Sequence, residues 1–382
     1  MTIQIPFFRP YFTGREIEVL ARLCASEGIG SDGTFSKECA RLLESRLKSR
    51  EILMTTSCTG ALELSARLLD LGPGDEVIMP SFAFPSVANA VLLTGATPVF
   101  VDIRRDTCNI NENEVDMAIS PRTKAIFIVH YAGVACEMDA ILELARRHSL
   151  YVVEDAALAV GASYKGQPLG TFGHLGTYSF HYTKNFQCGE GGALSVNDPN
   201  FSNRAHTIRD KGTNRRQLFL GEVDKYSWVD IGLSQPLGEL CCAFLLPQLE
   251  TIDDIIGKRQ RAYEQYLEGL MPLARSGLIR LPTIPNHIES NFPLFYIQAA
   301  DEQTRTALMK YLGSLGIQTA FHYVPLHSAL MGQKCRTVGA LPVTTEVSCS
   351  LLRLPFFVGI RSEQQEIVID ATHRFFAEVS SW

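Results

Sequence analysis

The sequence predicts an α/β fold, with a large domain on a mostly parallel sheet and a smaller α+β domain towards the C-terminus. Three observations carry this reading. The runs Ala125-Ile-Phe-Ile-Val and Leu150-Tyr-Val-Val are uniformly apolar, as suits strands covered on both faces. Through the first two thirds of the chain such runs alternate with segments of helical periodicity. Past about residue 250 the alternation gives way to one long helical segment and short, proline-punctuated pieces such as Leu281-Pro-Thr-Ile-Pro.

The elements follow in order. Glu51–Met54 is a short apolar run, and a Ser/Thr-rich turn leads from it into a helix over Ala61–Leu71, where Leu62, Ala66 and Leu69 share a face. Gly72-Pro-Gly-Asp is a turn before the strand Glu76–Pro80. A helix is expected over Phe82–Leu93, strands over Pro98–Asp102 and Ala125–His130, a helix over Cys136–His148 and a strand over Leu150–Asp155. Thr251–Leu270 reads as the long linking helix, with Ile252, Ile255 and Ile256 on one face. Residues 12–250 are therefore expected to form the large domain. Residues 251–382, with the N-terminal segment 1–11, are expected to form the small one.

Composition narrows the function classes. A chain of 382 residues has room for two domains, and 46% hydrophobic with 20% charged residues excludes a disordered or fibrous chain. A net charge of −6 argues against nucleic acid as a partner, which needs a basic footprint. Met1–Pro10 lacks the pattern of a secretory signal, and no apolar run reaches the roughly 20 residues of a membrane helix. The ten cysteines form neither a CxxC pair nor a regular framework, so reduced thiols in a cytoplasm are expected, without structural zinc. His322 and His327 lie five residues apart, which fits no helical metal pair, and no metal is expected.

Three segments carry chemistry. Thr55-Thr-Ser-Cys-Thr-Gly joins a strand to a helix. Ser57, Cys58 and Thr59 there suit either a plain N-cap or a phosphate held by free amides. Val152-Val-Glu-Asp-Ala-Ala puts Asp155 at the carboxyl end of a buried strand, where α/β sheets bind ligands. A buried Asp needs a cation or a capping role. Tyr178-Ser-Phe-His-Tyr-Thr-Lys-Asn, followed by Cys188-Gly-Glu-Gly-Gly, sets Lys184 before a glycine-rich turn that admits close approach of a ligand. A lysine amine is a nucleophile for aldehydes, giving a Schiff base. A phosphate turn, an acid and a lysine in this order are what pyridoxal phosphate (PLP) requires.

These segments resemble the DegT/StrS family of nucleotide-sugar aminotransferases, and the resemblance spans nearly the whole chain. It runs from Ile5-Pro-Phe-Phe-Arg-Pro through Pro80-Ser-Phe-Ala-Phe, Glu154-Asp-Ala-Ala and Gly189-Glu-Gly-Gly to His322-Tyr-Val-Pro-Leu-His. The stretches His130-Tyr-Ala-Gly-Val-Ala-Cys-Glu-Met-Asp, Lys211-Gly-Thr-Asn-Arg and Val223-Asp-Lys-Tyr-Ser-Trp are similar to the dTDP-4-amino-4,6-dideoxygalactose transaminases.

The resemblance implies a fold-type I PLP-dependent transferase, aspartate-aminotransferase-like. It implies a homodimer with shared sites, L-glutamate as amino donor and a dTDP-linked 4-keto-6-deoxy sugar as acceptor. It makes Lys184 the cofactor lysine and proton shuttle, and Asp155 the partner of the pyridine nitrogen. Ser179, Cys58 and Thr59 become phosphate ligands, and Phe84 the ring-stacking aromatic. Ser234 would reach the cofactor phosphate of the partner subunit. Tyr323 and His327 would lie near the sugar nucleotide. Lys211 and Arg215 are either solvated or contacts for its diphosphate. Two departures stand out. Leu158 replaces the family's usual Gln or His, and Gln235-Pro-Leu-Gly-Glu-Leu breaks the usual pattern after Ser234. A sugar dehydrase is the rival enzyme, disfavoured by Lys184 because that branch carries His there, and a non-catalytic regulator is the other alternative.

Overall fold

The computed structural model describes residues 4–25 and 28–379. Its strands, in chain order, are β1 (Ile52–Thr55), β2 (Glu76–Pro80), β3 (Thr97–Val101), β4 (Thr123–Val129), β5 (Tyr151–Asp155), β6 (Ser163–Tyr164), β7 (Gln167–Pro168), β8 (Leu175–Ser179), β9 (Gly192–Val196), β10 (Ile288–Glu289), β11 (Tyr296–Gln298), β12 (Arg336–Thr337) and β13 (Leu351–Arg353). Eight of them form one sheet in the order β1-β9-β8-β5-β4-β2-β3-β12. Only β9 runs against its neighbours; β8, β5, β4, β2, β3 and β12 are mutually parallel. This is the mostly parallel α/β sheet expected from the apolar runs.

The uniformly apolar strands are explained by what covers them. Along β2, Val77 and Met79 enter one core and Ile78 the opposite one. On one face lie the helices Glu16–Cys24, Thr34–Leu47, Met138–His148 and Glu239–Leu249; on the other lie Cys58–Leu68, Ser86–Leu92 and Ser202–Arg209. Each buried Val, Ile or Phe contributes about 1.5–3 kcal/mol, so both faces of a strand must be apolar to hold two helical layers.

After residue 250 the chain builds a further core. The helix Ile252–Arg275 packs Tyr266 and Leu270 against Phe295, Ile297 and Leu352 and against Val368 of the helix Ser362–Val379. Ile5 joins this core through its bridge to Ile317. Arg336–Thr337 returns to extend the large sheet beside β3.

Element boundaries shifted for local reasons. The helix expected from Ala61 starts at Cys58, because the Ser57 hydroxyl accepts from the Gly60 amide at 3.0 Å and caps it. The helix expected from Phe82 starts at Ser86, because Pro85 disfavours helical backbone at the residue before it. The long helix continues past Leu270 to Arg275, with Pro272 in its last turn.

One buried ionic cluster fixes the strand ends. Glu154, fully buried, accepts from the amides of Gly170 (2.7 Å), Phe172 (2.6 Å) and Gly173 (2.6 Å) and from His130 Nε2 (2.9 Å). His130 Nδ1 accepts from the Cys136 amide, so its proton sits on Nε2 and points at Glu154. The His130 amide also donates to the Asp155 carbonyl. Glu154 thus closes the turn that leads into β8 and holds β4 against β5 one residue before Asp155. Glu154→Ala leaves two buried amides and the part-buried amide of Phe172 unpaired, which costs about 3 kcal/mol. Its melting temperature should fall by several degrees in a thermal scan; an unchanged melt would contradict this role.

Candidate active site

The carboxyl ends of β5 and β8 are adjacent in the sheet, with Asp155 level with Thr177. Asp155 is therefore set beside the loop that leaves β8 after Ser179 and carries Lys184 back to β9. The start of β9 is glycine for a steric reason. A Cβ on Gly192 would fall 2.3 Å from the carbonyl carbon of Ser57 and 2.4 Å from the Cys58 nitrogen. The turn 57–59 can then lie against the strand ends.

Asp155 is buried and under-satisfied. Its Oδ1 accepts from the Ala157 amide at 3.0 Å and faces the Cys58 thiol at 3.8 Å. Burial raises its pKa, and the Ala157 amide and the Lys184 charge only partly counter this. Burial lowers the pKa of Lys184, opposed by Cys58 and Asp155 and reinforced by Arg353. Lys184 Nζ takes part in no hydrogen bond among the described residues. Burial also pushes the Cys58 thiol up, so it stays protonated and donates to Thr177 Oγ1 at 3.5 Å. The helix Cys58–Leu68 offers its first two amides, those of Cys58 and Thr59, to no protein acceptor among the described residues. Thr59 Oγ1 pairs with Ser86 Oγ at 2.7 Å. The Ser179 hydroxyl and Lys184 border one small cavity with Leu158, Asn185 and Asn291.

A polar arm from the C-terminal part reaches the same region. His322 stacks on Tyr323, with ring centroids 4.1 Å apart and planes at 13°. His322 lies 3.2 Å from the Tyr131 hydroxyl through Nδ1 and 2.6 Å from Arg353 Nη1 through Nε2. Burial, then the charges of Arg353 and Lys184, push the His322 pKa down to about 2, so the ring is neutral and Nε2 accepts from Arg353. Burial pushes Tyr323 up to about 12, with Arg353 and Asp155 acting in opposite senses. Leu158 packs beside Tyr131, Phe82 and Tyr296 as part of an apolar wall, and its carbonyl accepts from Asn291.

Not every residue singled out in the sequence lies here. Cys58, Thr59, Asp155, Ser179, Lys184 and Tyr323 come together, and Ser57 uses its hydroxyl as the helix cap. His327 is held by Ser81, just past β2, at 2.7 Å. Phe84 is 60% exposed on the loop after β2 and pairs with no other ring among the described residues. Lys211 and Arg215 line a separate cavity of about 700 Å³ whose other charged residues are the cations Lys37, Arg41, Arg209 and Arg216 and the acids Asp32, Glu44, Glu51 and Asp210. Exposed Ser234 bridges to Asp210 beside it. Within one chain these three do not meet Lys184. Gln235, the departure noted above, accepts through its carbonyl from the Thr56 amide at 2.8 Å and braces the turn before the helix Cys58–Leu68.

Sequence reasoning missed Thr177, Ser86, His130, Glu154, His322 as a ring partner, and Arg353. Arg353 had a signal: it is a lone charge inside Leu351-Leu-Arg-Leu. The others are polar groups whose partners are distant in sequence.

PLP fits these residues. A carboxylate raised by burial, with one amide and one thiol for company, accommodates a cationic ring N–H. Two unpaired amides at a helix start accommodate a phosphate. A half-buried lysine whose Nζ has no hydrogen-bond partner among the described residues accommodates the carbonyl carbon.

Comparison with known proteins agrees. The model of the DegT/DnrJ/EryC1/StrS aminotransferase family matches residues 11–373. The chain is 28% identical to the GDP-perosamine synthase of Escherichia coli O157:H7 over 98% of this chain and 99% of that one. It is similar to the structure of S. venezuelae DesV, at 32% identity and TM-score 0.88, covering 98% of this chain and 99% of that one. It also matches Spr1654 of Streptococcus pneumoniae in its PMP form, at 25% identity and TM-score 0.90, over 98% and 100% of the two chains. The chain belongs to the DegT/DnrJ/EryC1/StrS aminotransferase family and is a PLP-dependent aminotransferase of the fold-type I architecture.

Proposed function

We propose that this enzyme moves the amino group of L-glutamate to C4 of dTDP-4-keto-6-deoxy-D-glucose, giving dTDP-4-amino-4,6-dideoxy-D-galactose. The observation that carries the chemistry is buried Asp155 at the end of β5 with half-buried Lys184 on the loop after β8, next to two free helix amides. The stretches at His130–Asp139 and Lys211–Arg215 support the sugar class, as does a relative named for GDP-perosamine synthesis.

When bound, PLP supplies an electron sink for the carbon that gains or loses the amino group. The chain's own residues do the rest. Burial favours the neutral amine of Lys184, so Nζ takes a proton from the donor's carbon and returns one to the sugar's C4. Asp155 stays ionised by pairing with the ring nitrogen and keeps that nitrogen protonated. The amides of Cys58 and Thr59 and the Ser179 hydroxyl hold the phosphate, and Phe84 covers the ring. Tyr323 and His327 lie on the side where the sugar enters.

Lys211, Arg215 and Ser234 serve the second site of a homodimer. Their separation from Lys184 within one chain supports this arrangement, and the cavity of Lys211 and Arg215 has more cations than its carboxylates Asp32, Glu44, Glu51 and Asp210 offset, which suits a diphosphate. One donor and one acceptor using the same lysine in turn give ping-pong kinetics.

Lys184→Ala should lower amino transfer by two to four orders of magnitude, the usual contribution of a positioned acid–base group, without lowering the melting temperature. Turnover within tenfold of wild type would sink the assignment. Incubation with glutamate and dTDP-4-keto-6-deoxyglucose should give an axial C4 amine by NMR. The equatorial epimer, or reaction with a GDP-linked ketosugar alone, would replace the galacto reading. Leu158→Gln puts a polar group into an apolar wall facing the cofactor lysine and should change turnover severalfold; an unchanged rate would show that Leu158 does not tune the site.

A further inference from the structure

Four thiols gather at the start of the helix Glu239–Leu249, and they form two pairs. Cys39 is hydrogen-bonded to Cys242, and Cys188 to Cys241. Cys39, Cys188 and Cys242 are buried, whereas Cys241 is only half-buried. Among the described residues no three side chains are set to hold a metal ion, so these thiols do not make a metal site.

The Cys188–Cys241 pair joins the lysine loop to this helix. The Cys188 amide donates to the Phe180 carbonyl at 2.9 Å and the Tyr182 amide to the Gly189 carbonyl at 2.8 Å, so residues 180–189 form a closed loop with Lys184 inside it. The Cys188 sulfur lies across Gly191, where a Cβ would fall 2.5 Å from it, and glycine leaves it room. Cys241 comes from the first turn of a helix that already holds the loop near its other end, where Gln248 Oε1 accepts from the Gln187 amide at 2.9 Å.

The two thiols differ in reactivity. The hydrogen bond from Cys188 lowers the Cys241 pKa to about 7, against burial and the charge of Glu190. The same bond, and then burial, hold Cys188 well above the ordinary thiol value. Cys188 therefore keeps its proton and donates it to the sulfur of Cys241, which is partly thiolate at neutral pH. An accessible thiolate at a helix start with a second thiol in contact is an oxidisable pair. The Cys39–Cys242 pair lacks both features, being closed to solvent and raised at Cys39.

We propose that Cys241 and Cys188 are a modification site, oxidised by a peroxide to a disulfide that ties the Lys184 loop to the helix Glu239–Leu249 and slows amino transfer until a thiol reductant reopens it. The Cys241 sulfur attacks one peroxide oxygen; an S–O bond forms as the O–O bond breaks, and the leaving oxygen takes a proton and departs as water. Cys188 then gives up its proton and attacks the Cys241 sulfur. The S–S bond forms, the S–O bond breaks, and the hydroxyl leaves with that proton as a second water. The two sulfurs lose two electrons, which the peroxide gains. A disulfide needs its sulfurs about 2.05 Å apart, closer than hydrogen-bonded thiols, so loop and helix are drawn together. Only the effect on rate rests on the aminotransferase reading; the disulfide itself does not.

The test treats the PLP-loaded wild type, Cys241→Ser and Cys188→Ser with hydrogen peroxide. Peptides are mapped by mass spectrometry without reductant, and single-turnover amino transfer is measured before peroxide, after it and after dithiothreitol. Wild type should give a peptide linked through Cys188 and Cys241 of one chain, lose at least threefold in rate and regain it with dithiothreitol. Cys241→Ser should form no link and keep its rate through the same treatment. Cys188→Ser should accumulate a sulfenic acid at Cys241 that dimedone captures. Free thiols at both positions after peroxide, a link between chains, a link without loss of rate, or an equal loss in Cys241→Ser would each overturn the proposal. If reduced wild type transfers no amino group, the aminotransferase reading fails, and the peptide map still decides whether the disulfide forms.

Discussion

The architecture depends on setting a half-buried amine, Lys184, near a buried carboxylate, Asp155, without letting them satisfy each other fully. Asp155 is raised by burial and Lys184 is lowered by it, and each only partly relieves the other. Such a pair is costly in an apolar interior. It persists because the sheet leaves no alternative. The position of Asp155 is set by β4 on one side and β8 on the other, and Glu154 with His130 locks that junction one residue away. A bound cation at Asp155 and a covalent partner at Lys184 would relieve what the protein leaves unsatisfied. The helix start at Cys58, with two idle amides, is a third unmet demand in the same place.

Much of this was legible in the sequence. Parallel strands declared themselves as apolar runs without alternation, because both faces are covered, and the helices between them kept their periodicity. Asp155 could be placed at a strand end and Lys184 before a glycine turn from local pattern alone. What stayed hidden was whatever depends on distant partners. Glu154 reads as one of two adjacent acids; only the fold shows that it serves the backbone while its neighbour accepts from a single amide. Ser57 reads as a cap or a phosphate ligand, and the geometry gives its hydroxyl to the cap. Arg353 stood out as a charge in an apolar strand, but its pairing with His322 is a three-dimensional fact.

The separation of Lys211, Arg215 and Ser234 from Lys184 has the same character. The cavity beside Lys211 and Arg215 mixes cations with carboxylates, among them Arg209 fixed by Asp32, Arg216, Glu44 and Glu51. One chain thus carries the Lys184 site and, apart from it, a charged cavity lined by six Lys and Arg side chains. In the proposed homodimer each chain lends the second to the other, which ties substrate recognition to assembly. Leu158 fits the same economy of polar groups, since it seals the lysine's cavity against Tyr131 and Phe82 rather than adding a further hydrogen bond.

The claim at the centre is that Asp155 is held for a protonated ring nitrogen. The most direct measurement is the ¹⁵N chemical shift of PLP labelled at that nitrogen, recorded on the wild-type holoenzyme and on Asp155→Asn. A protonated nitrogen in the wild type that loses its proton in the variant is the expected result. An unprotonated nitrogen in the wild-type enzyme would contradict the account.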